Sequence, residues 1–212
     1  VNYGTLKYKS KKKISKKTFL ASQIFKTAAP EYNGEDYISG KVGELDFELC
    51  EINVREYSKV RSRLNYVFKG IFLHATFNRE MEGEVLILPK KFKQYLSKTI
   101  RSFNLRGGTE VEERILSVEF EKYFLAYATS NADILSCLSK DMQHLIVNYH
   151  KKTGKEFYVS FIKNEIYIAI TEPKDILEPF VFKSNVSFEL IHEFIEEIDL
   201  LMNIVEDFDK AH

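Results

Sequence analysis

The densest run of like charge that could do chemistry lies between Val85 and Thr109, where six basic residues occur without an acid. Wound as a helix, the stretch PKKFKQYLSKTIRSF (89–103) sets Phe92, Leu96, Ile100 and Phe103 on one side. Lys90, Lys91, Lys98 and Arg101 fall on the other. Such a helix can lie on an anionic bilayer, its apolar side inserted and its basic side at the headgroups. Phe and Leu at this spacing are also how a helix packs on a sheet, and that plainer reading leads. Just beyond, RGGT (106–109) places Arg106 beside two glycines whose backbone N–H groups could meet an anion. A flexible connector is the commoner use of such a sequence. Lys90, Lys91, Lys98, Arg101 and Arg106 are the candidate anion or lipid contacts.

Other chemistries find less support. The five histidines, at 74, 144, 150, 192 and 212, include no i, i+4 pair that would set two imidazoles on one helix face. His74 lies mid-strand beside Phe72 and Thr76, where a hydrogen-bonded packing role leads over that of a ligand or base. Glu193, Glu196, Glu197 and Asp199 lie off the apolar stripe of a closing helix, so they read as solvated carboxylates without the burial that acid–base work needs. No G-x-S-x-G elbow, dinucleotide glycine motif or phosphate-binding loop occurs. Cys50 and Cys137 make neither a disulfide framework nor a zinc spacing, so a reducing compartment is the default. No catalytic residue, cofactor or metal is expected.

The elements that must carry these residues mix both periods. ISKKTFLASQIF reads as a first helix capped by Ser15, and TAAPEYNGED as a loop. DYISGKVGELDFELCEINVREY reads as two strands joined near Gly40–Gly43, with Leu45, Phe47 and Leu49 alternating on one face. LNYVFKGIFLHATF is a long strand or a pair bent at Gly70, and GEVLILP is another strand. The basic helix follows. RILSVEF and KYFLAYAT read as strands, and LSKDMQHLIVNYHKKTGK as a helix capped by Ser139 and stopped at Gly154. EFYVSF and EIYIAIT form a hairpin turning at Lys163–Asn164. A long final helix, residues 187–209, keeps apolar spacing for six turns and suits partner or self-association. Strands in adjacent runs without βαβ alternation predict an α+β fold with mostly antiparallel sheets, a few helices and that long C-terminal helix.

At 212 residues, 44% hydrophobic and 29% charged, the chain suits a folded globular protein. Residues 1–18 read as a Lys-rich arm or linker and residues 19–212 as a single α+β domain, with two subdomains divided near 104–110 as the variant reading. The zero net charge hides a gradient, since residues 1–30 carry eight Lys and no acid, leaving the remainder at −8. A basic end can attract anionic lipid, whereas a neutral whole disfavours nucleic acid as a partner. No apolar run approaches the roughly 20 residues of a membrane span, and no signal peptide is visible. Starting at Val1 without Met, the chain reads as a piece of something longer.

Several stretches together resemble a bacterial domain of unknown function, the family numbered 3137 among such domains. They are FLASQIFKTAAPEYNGEDYISGKVGELDFELCEI, VFKGIFLHATFN, EFEKYFLAYATSNADILSCLSKDM, KKTGKEFYVSFIKNEIYIAI and EPFVFKS, followed by an acidic closing helix. Members of that family look membrane-anchored, with hydrophobic segments preceding this domain. The resemblance implies the soluble portion of a membrane-anchored protein; taken with the basic clusters above, the expectation is binding or assembly at the cytoplasmic face of the membrane, with anionic lipid contact. It brings no activity and no catalytic residues. Two other classes stay open: an enzyme whose acid and base converge from separate strands, and a structural oligomerisation unit. A cleft holding His74 with a carboxylate partner and a perturbed pKa would favour the enzyme.

Overall fold

The computed structural model describes residues 6–42, 45–58, 62–77, 80, 82–91, 94–172 and 204. Within them nine strands form a single antiparallel sheet: β1 (Lys7–Lys9), β2 (Glu31–Val42), β3 (Leu45–Ser58), β4 (Arg63–Thr76), β5 (Glu84–Pro89), β6 (Gly108–Glu110), β7 (Phe124–Thr129), β8 (Phe157–Ile162) and β9 (Glu165–Thr171). Their order across the sheet is β1-β2-β3-β4-β9-β8-β5-β7-β6. The class is α+β, as the adjacent strand runs imply. Five helices accompany the described sheet: α1 (Lys16–Ala21), α2 (Gln94–Asn104), α3 (Val118–Tyr123), α4 (Ile134–Cys137) and α5 (Lys140–Thr153).

The central strands are apolar on both faces, because both faces are covered. Leu49, Leu73, Val159 and Ile168 point to one side, where Phe120 of α3, Cys137 of α4 and Met142, Ile146 and Val147 of α5 close over them. Ile52, Phe72, Tyr158 and Ala169 point to the other, under Phe19 of α1 and Leu96 and Phe103 of α2. On this second side an aromatic cluster seals the contact: Phe19 stacks on Phe25 at 5.4 Å and meets Phe72 at 5.1 Å. Each such pair adds about 0.5–1.5 kcal/mol beyond its buried area. Buried hydroxyls stitch the same layer. Thr99 of α2 donates to the Ile24 carbonyl at 2.9 Å, and Ser160 of β8 donates to the Ser22 carbonyl at 2.6 Å.

Local signals explain most element ends. Ser15 accepts from Thr18 N at 3.0 Å to start α1, and Ser139 accepts from Met142 N at 3.2 Å to start α5. Gly154 closes α5 in the left-handed conformation, with φ of 69°. Three elements depart from expectation. Residues 31–36 are strand rather than loop, since Glu31–Glu35 pair with Glu51–Arg55 of β3 and a bulge then absorbs the irregularity. RILSVEF is not a strand: Ser117 accepts from Phe120 N at 3.1 Å and caps α3, with Glu119 and Glu121 in its first turn. Pro89 ends β5, as the GEVLILP strand implies, so the helix expected over 89–103 does not start there: Pro89 pairs with Phe124 of β7.

The Lys-rich segment also differs from a free arm in its described part. Lys7–Lys9 pair with Tyr37–Ser39 of β2, and Ile14 is fully buried, donating its N–H to the Cys50 sulfur at 3.2 Å. At the suggested subdomain division, Gly108–Glu110 join the same sheet as its edge strand against β7. The expected helix over 187–209 lies outside the described residues except for Ile204, which is buried against the α5 side of the sheet.

Gly70 of β4 leaves no room for a side chain against β9. Its φ is +153°, and a Cβ built there would stand 2.0 Å from the Ile170 carbonyl oxygen. Gly70→Ala is expected to cost about 3 kcal/mol or more. The readout is a lower urea midpoint at an unchanged slope; a midpoint within error of wild type would refute this account of the β4–β9 contact.

Candidate functional site

The basic residues singled out by sequence sit on the surface, but they do not converge. Lys98 and Arg101 are exposed on α2, while Lys90 and Lys91 precede the described helix and are also exposed. The Lys90 ammonium donates to the Glu121 carbonyl at 2.9 Å. Arg106 is already engaged: it pairs with Glu84 at 3.0 Å, donates to Ser102 and lies over the Phe103 ring. The apolar side of α2 is spent on the domain's own core, with Leu96, Thr99 and Phe103 all buried. Only the basic side of this helix is therefore open to a surface.

The sheet assembles a constellation that the sequence named in one member only. Beyond the helical cover of the second face, alternation along the strands turns polar. β3 sets Glu48 opposite His74 of β4, and His74 lies opposite Tyr167 of β9. His74 Nδ1 stands 3.1 Å from Glu48 Oε1, and its Nε2 stands 3.3 Å from Glu165 Oε1. The outer carboxylate oxygens are taken by phenols: Tyr37 donates to Glu48 Oε2 at 2.8 Å, and Tyr167 donates to Glu165 Oε2. The imidazole also stacks on the Tyr167 ring, 4.9 Å between centroids and 15° from parallel. The result is a continuous chain, Tyr37–Glu48–His74–Glu165–Tyr167, built from four strands.

Its electrostatics follow from that wiring. An ionised carboxylate only accepts, so it takes a hydrogen bond only from an imidazole nitrogen that carries a proton. The hydrogen bond from His74 holds Glu48 below the usual carboxylate range, against the opposing effect of its burial. Burial, then the bond to Glu165, pushes the Tyr167 phenol well above its ordinary value. The His74 side chain is 14% exposed and opens on a shallow depression ringed by Lys7, Ser39, Lys41, Asp46 and Thr76. Lys12 caps Tyr37, its Nζ 3.5 Å from the ring centroid. The two carboxylates sit on opposite ring nitrogens, which aims them apart. Among the described residues no group of His, Cys, Asp and Glu is arranged to hold a metal ion.

Two other buried polar features are structural in character. Lys155 and Glu172 form an ion pair at 2.5 Å with little exposure on either side chain, and Glu172 N donates to the Lys69 carbonyl at 2.9 Å. Burial pushes the thiols of Cys50 and Cys137 up to about 12, so neither is a thiolate nucleophile near neutrality.

Fold and site together define an α+β protein built on one two-faced antiparallel sheet, with a polar histidine network at one end of a face. The chain belongs to the family described as protein of unknown function (DUF3137), whose model matches residues 66–210. Among solved structures, the mycobacterial trehalose monomycolate transport factor A is similar, with a TM-score of 0.47 at 8% identity. The match covers 85% of this chain and 73% of that one. No curated protein sequence matches the chain. No helix among the described residues is long and apolar enough to cross a membrane.

Because Glu48 is held below its ordinary value of 4.5, its ionised form stabilises the fold fully above that pH. The contribution is lost as pH falls through the lowered folded value. Glu48→Gln should therefore cost about 1–3 kcal/mol at pH 7. The gap to wild type should close on acidification below 4.5. Urea titrations at a series of pH values measure it, and a gap constant down to pH 3 would exclude the charged Glu48–His74 contact.

Proposed function

We propose that this domain is a non-enzymatic binding or assembly module of a membrane-anchored bacterial protein, held at the cytoplasmic face and touching anionic lipid. The observation that carries the lipid contact is the disposition of α2. Its apolar side is buried on the sheet, while Lys98 and Arg101 remain exposed on the other side. Lys91 is exposed just before the helix, and the sequence from Val85 to Thr109 offers no acid to neutralise the group. The contact is therefore electrostatic, without insertion of this helix, and each basic residue near the surface contributes about 1 kcal/mol. The anchor itself is supported by the family resemblance rather than by geometry.

A second reading has one specific observation in its favour. The Tyr37–Glu48–His74–Glu165–Tyr167 chain is a hydrogen-bonded relay beside an open depression, with one carboxylate displaced from its ordinary range. Acid–base chemistry there would require a substrate group to displace one of the internal partners, since every one of these contacts is already made within the network. That requirement ranks the enzyme reading second.

Co-sedimentation with anionic and with neutral vesicles, at low and at physiological salt, tests the first reading. Binding should be confined to anionic vesicles and weaken with salt. Lys91→Gln, Lys98→Gln and Arg101→Gln combined should lower it at least about tenfold, from roughly 1 kcal/mol per charge. Equal binding by this variant and wild type would remove α2 as the contact.

A further inference from the structure

We infer that the β3–β4 hairpin is a membrane-inserting ribbon, whose exposed Tyr57, Leu64 and Tyr66 enter the headgroup–acyl boundary of an anionic bilayer. The inference deepens the membrane reading above and rests on it, but it names a different surface.

The register shows why this hairpin stands apart. β2 accompanies β3 only as far as Arg55, which pairs with Glu31. On the other edge, β9 accompanies β4 only from Gly70 onward, opposite Thr171. The pairs Glu56–Asn65, Tyr57–Leu64 and Ser58–Arg63 thus continue as a two-stranded ribbon beyond both neighbours. Beyond both neighbours it runs about 10 Å, at roughly 3.3 Å per residue. A register shift between Val54 and Arg55 comes just before β2 ends.

Cross-strand partners share a face, so Arg55, Tyr57, Leu64 and Tyr66 lie together on one side of the ribbon. Tyr57 and Tyr66 are each 55% exposed and Leu64 is 43% exposed. The opposite side faces the protein: Glu56 there accepts from the Thr27 hydroxyl at 2.7 Å. The single acid of the ribbon is therefore turned inward and engaged. Arg55 lies over the Tyr66 ring, 4.9 Å from its centroid. Between Arg55 and Tyr66 the sequence holds four bases against that one acid.

This composition selects the occupant. Two phenols and an aliphatic side chain suit an interface where a ring is wet at one end and apolar at the other. The bases that the sequence of this stretch carries match anionic headgroups. Leu64 adds nothing to stacking on a nucleic-acid base, and the chain is neutral overall.

The chain contains no Trp, which makes a single introduced Trp an unambiguous reporter. Tyr57→Trp should shift to shorter emission wavelength with phosphatidylcholine–phosphatidylserine vesicles and be quenched by lipids brominated on their chains. Leu135→Trp, at an exposed position on α4, should do neither. Tyr57→Ser, Leu64→Ser and Tyr66→Ser combined should lower vesicle binding about tenfold or more at an unchanged melting temperature. Sedimentation with anionic vesicles but no shift or quenching at position 57 overturns the ribbon and leaves the α2 contact standing. Quenching at position 57, with vesicle binding undiminished by the α2 substitutions, supports the ribbon and removes α2. Absence of all vesicle binding overturns both. A concentration-dependent dimer lost in the triple serine variant, without quenching, makes a second copy the occupant and overturns the proposal.

Discussion

The structure depends on a sheet that must be apolar on both faces at once. β4, β9 and β8 lie at its centre, and each strand sends alternate residues into two separate cores. The backbone of these strands is satisfied by its neighbours, so the hydrophobic side chains need only find cover. That cover is unequal. On one face α3, α4 and α5 supply it; on the other it comes from α1, the segment after it, and α2. The second cover is stitched by buried hydroxyls as well as by aromatic contact, which fixes α2 with its charged side outward.

Where the cover on the second face ends, the alternation rule persists but its content changes. Glu48 continues the series of Cys50, Ile52 and Val54, and His74 continues that of Phe68 and Phe72. The same geometry that packs rings further along the strands therefore brings a carboxylate and an imidazole into register. Glu165 and Tyr167 join from β9, and the chain closes with every contact made. A network so complete ties four strands together at a place that no described helix covers. Its cost of desolvation is tempered because the depression is open to water.

Much of this was legible in the residues, and the parts that were not have physical reasons. α5 announces itself through Ser139, its apolar stripe and Gly154, because caps are local chemistry. α3 was hidden because Ile115, Ser117 and Glu119 permit a strand period, and only the Ser117 bond to Phe120 N decides for a helix. Residues 31–36 look like a loop because Gly34 and Asp36 are turn residues, yet β3 recruits them and the bulge takes up Asp36 at positive φ. His74 could be picked out as a strand histidine. Its partner Glu48 follows once the hairpin register is known, whereas Glu165 comes from a strand far away in sequence, and no local pattern announces that pairing. The basic side of α2 was readable from spacing, but Glu84, which neutralises Arg106, was not, because it arrives from β5.

The central position of β9 also has a bearing on synthesis. Thr76 of β4 has Glu165 as its partner, so the inner edge of β4 waits for a strand made much later. Translation at roughly 5–20 residues per second makes that delay on the order of 5–20 s. During it the meander of β1 to β4 presents a long open edge, carrying Ile71 and Phe72, to whatever else is nearby. The topology that gives the mature sheet its buried centre thus places the nascent chain's most adhesive edge on display until residues 165–171 emerge.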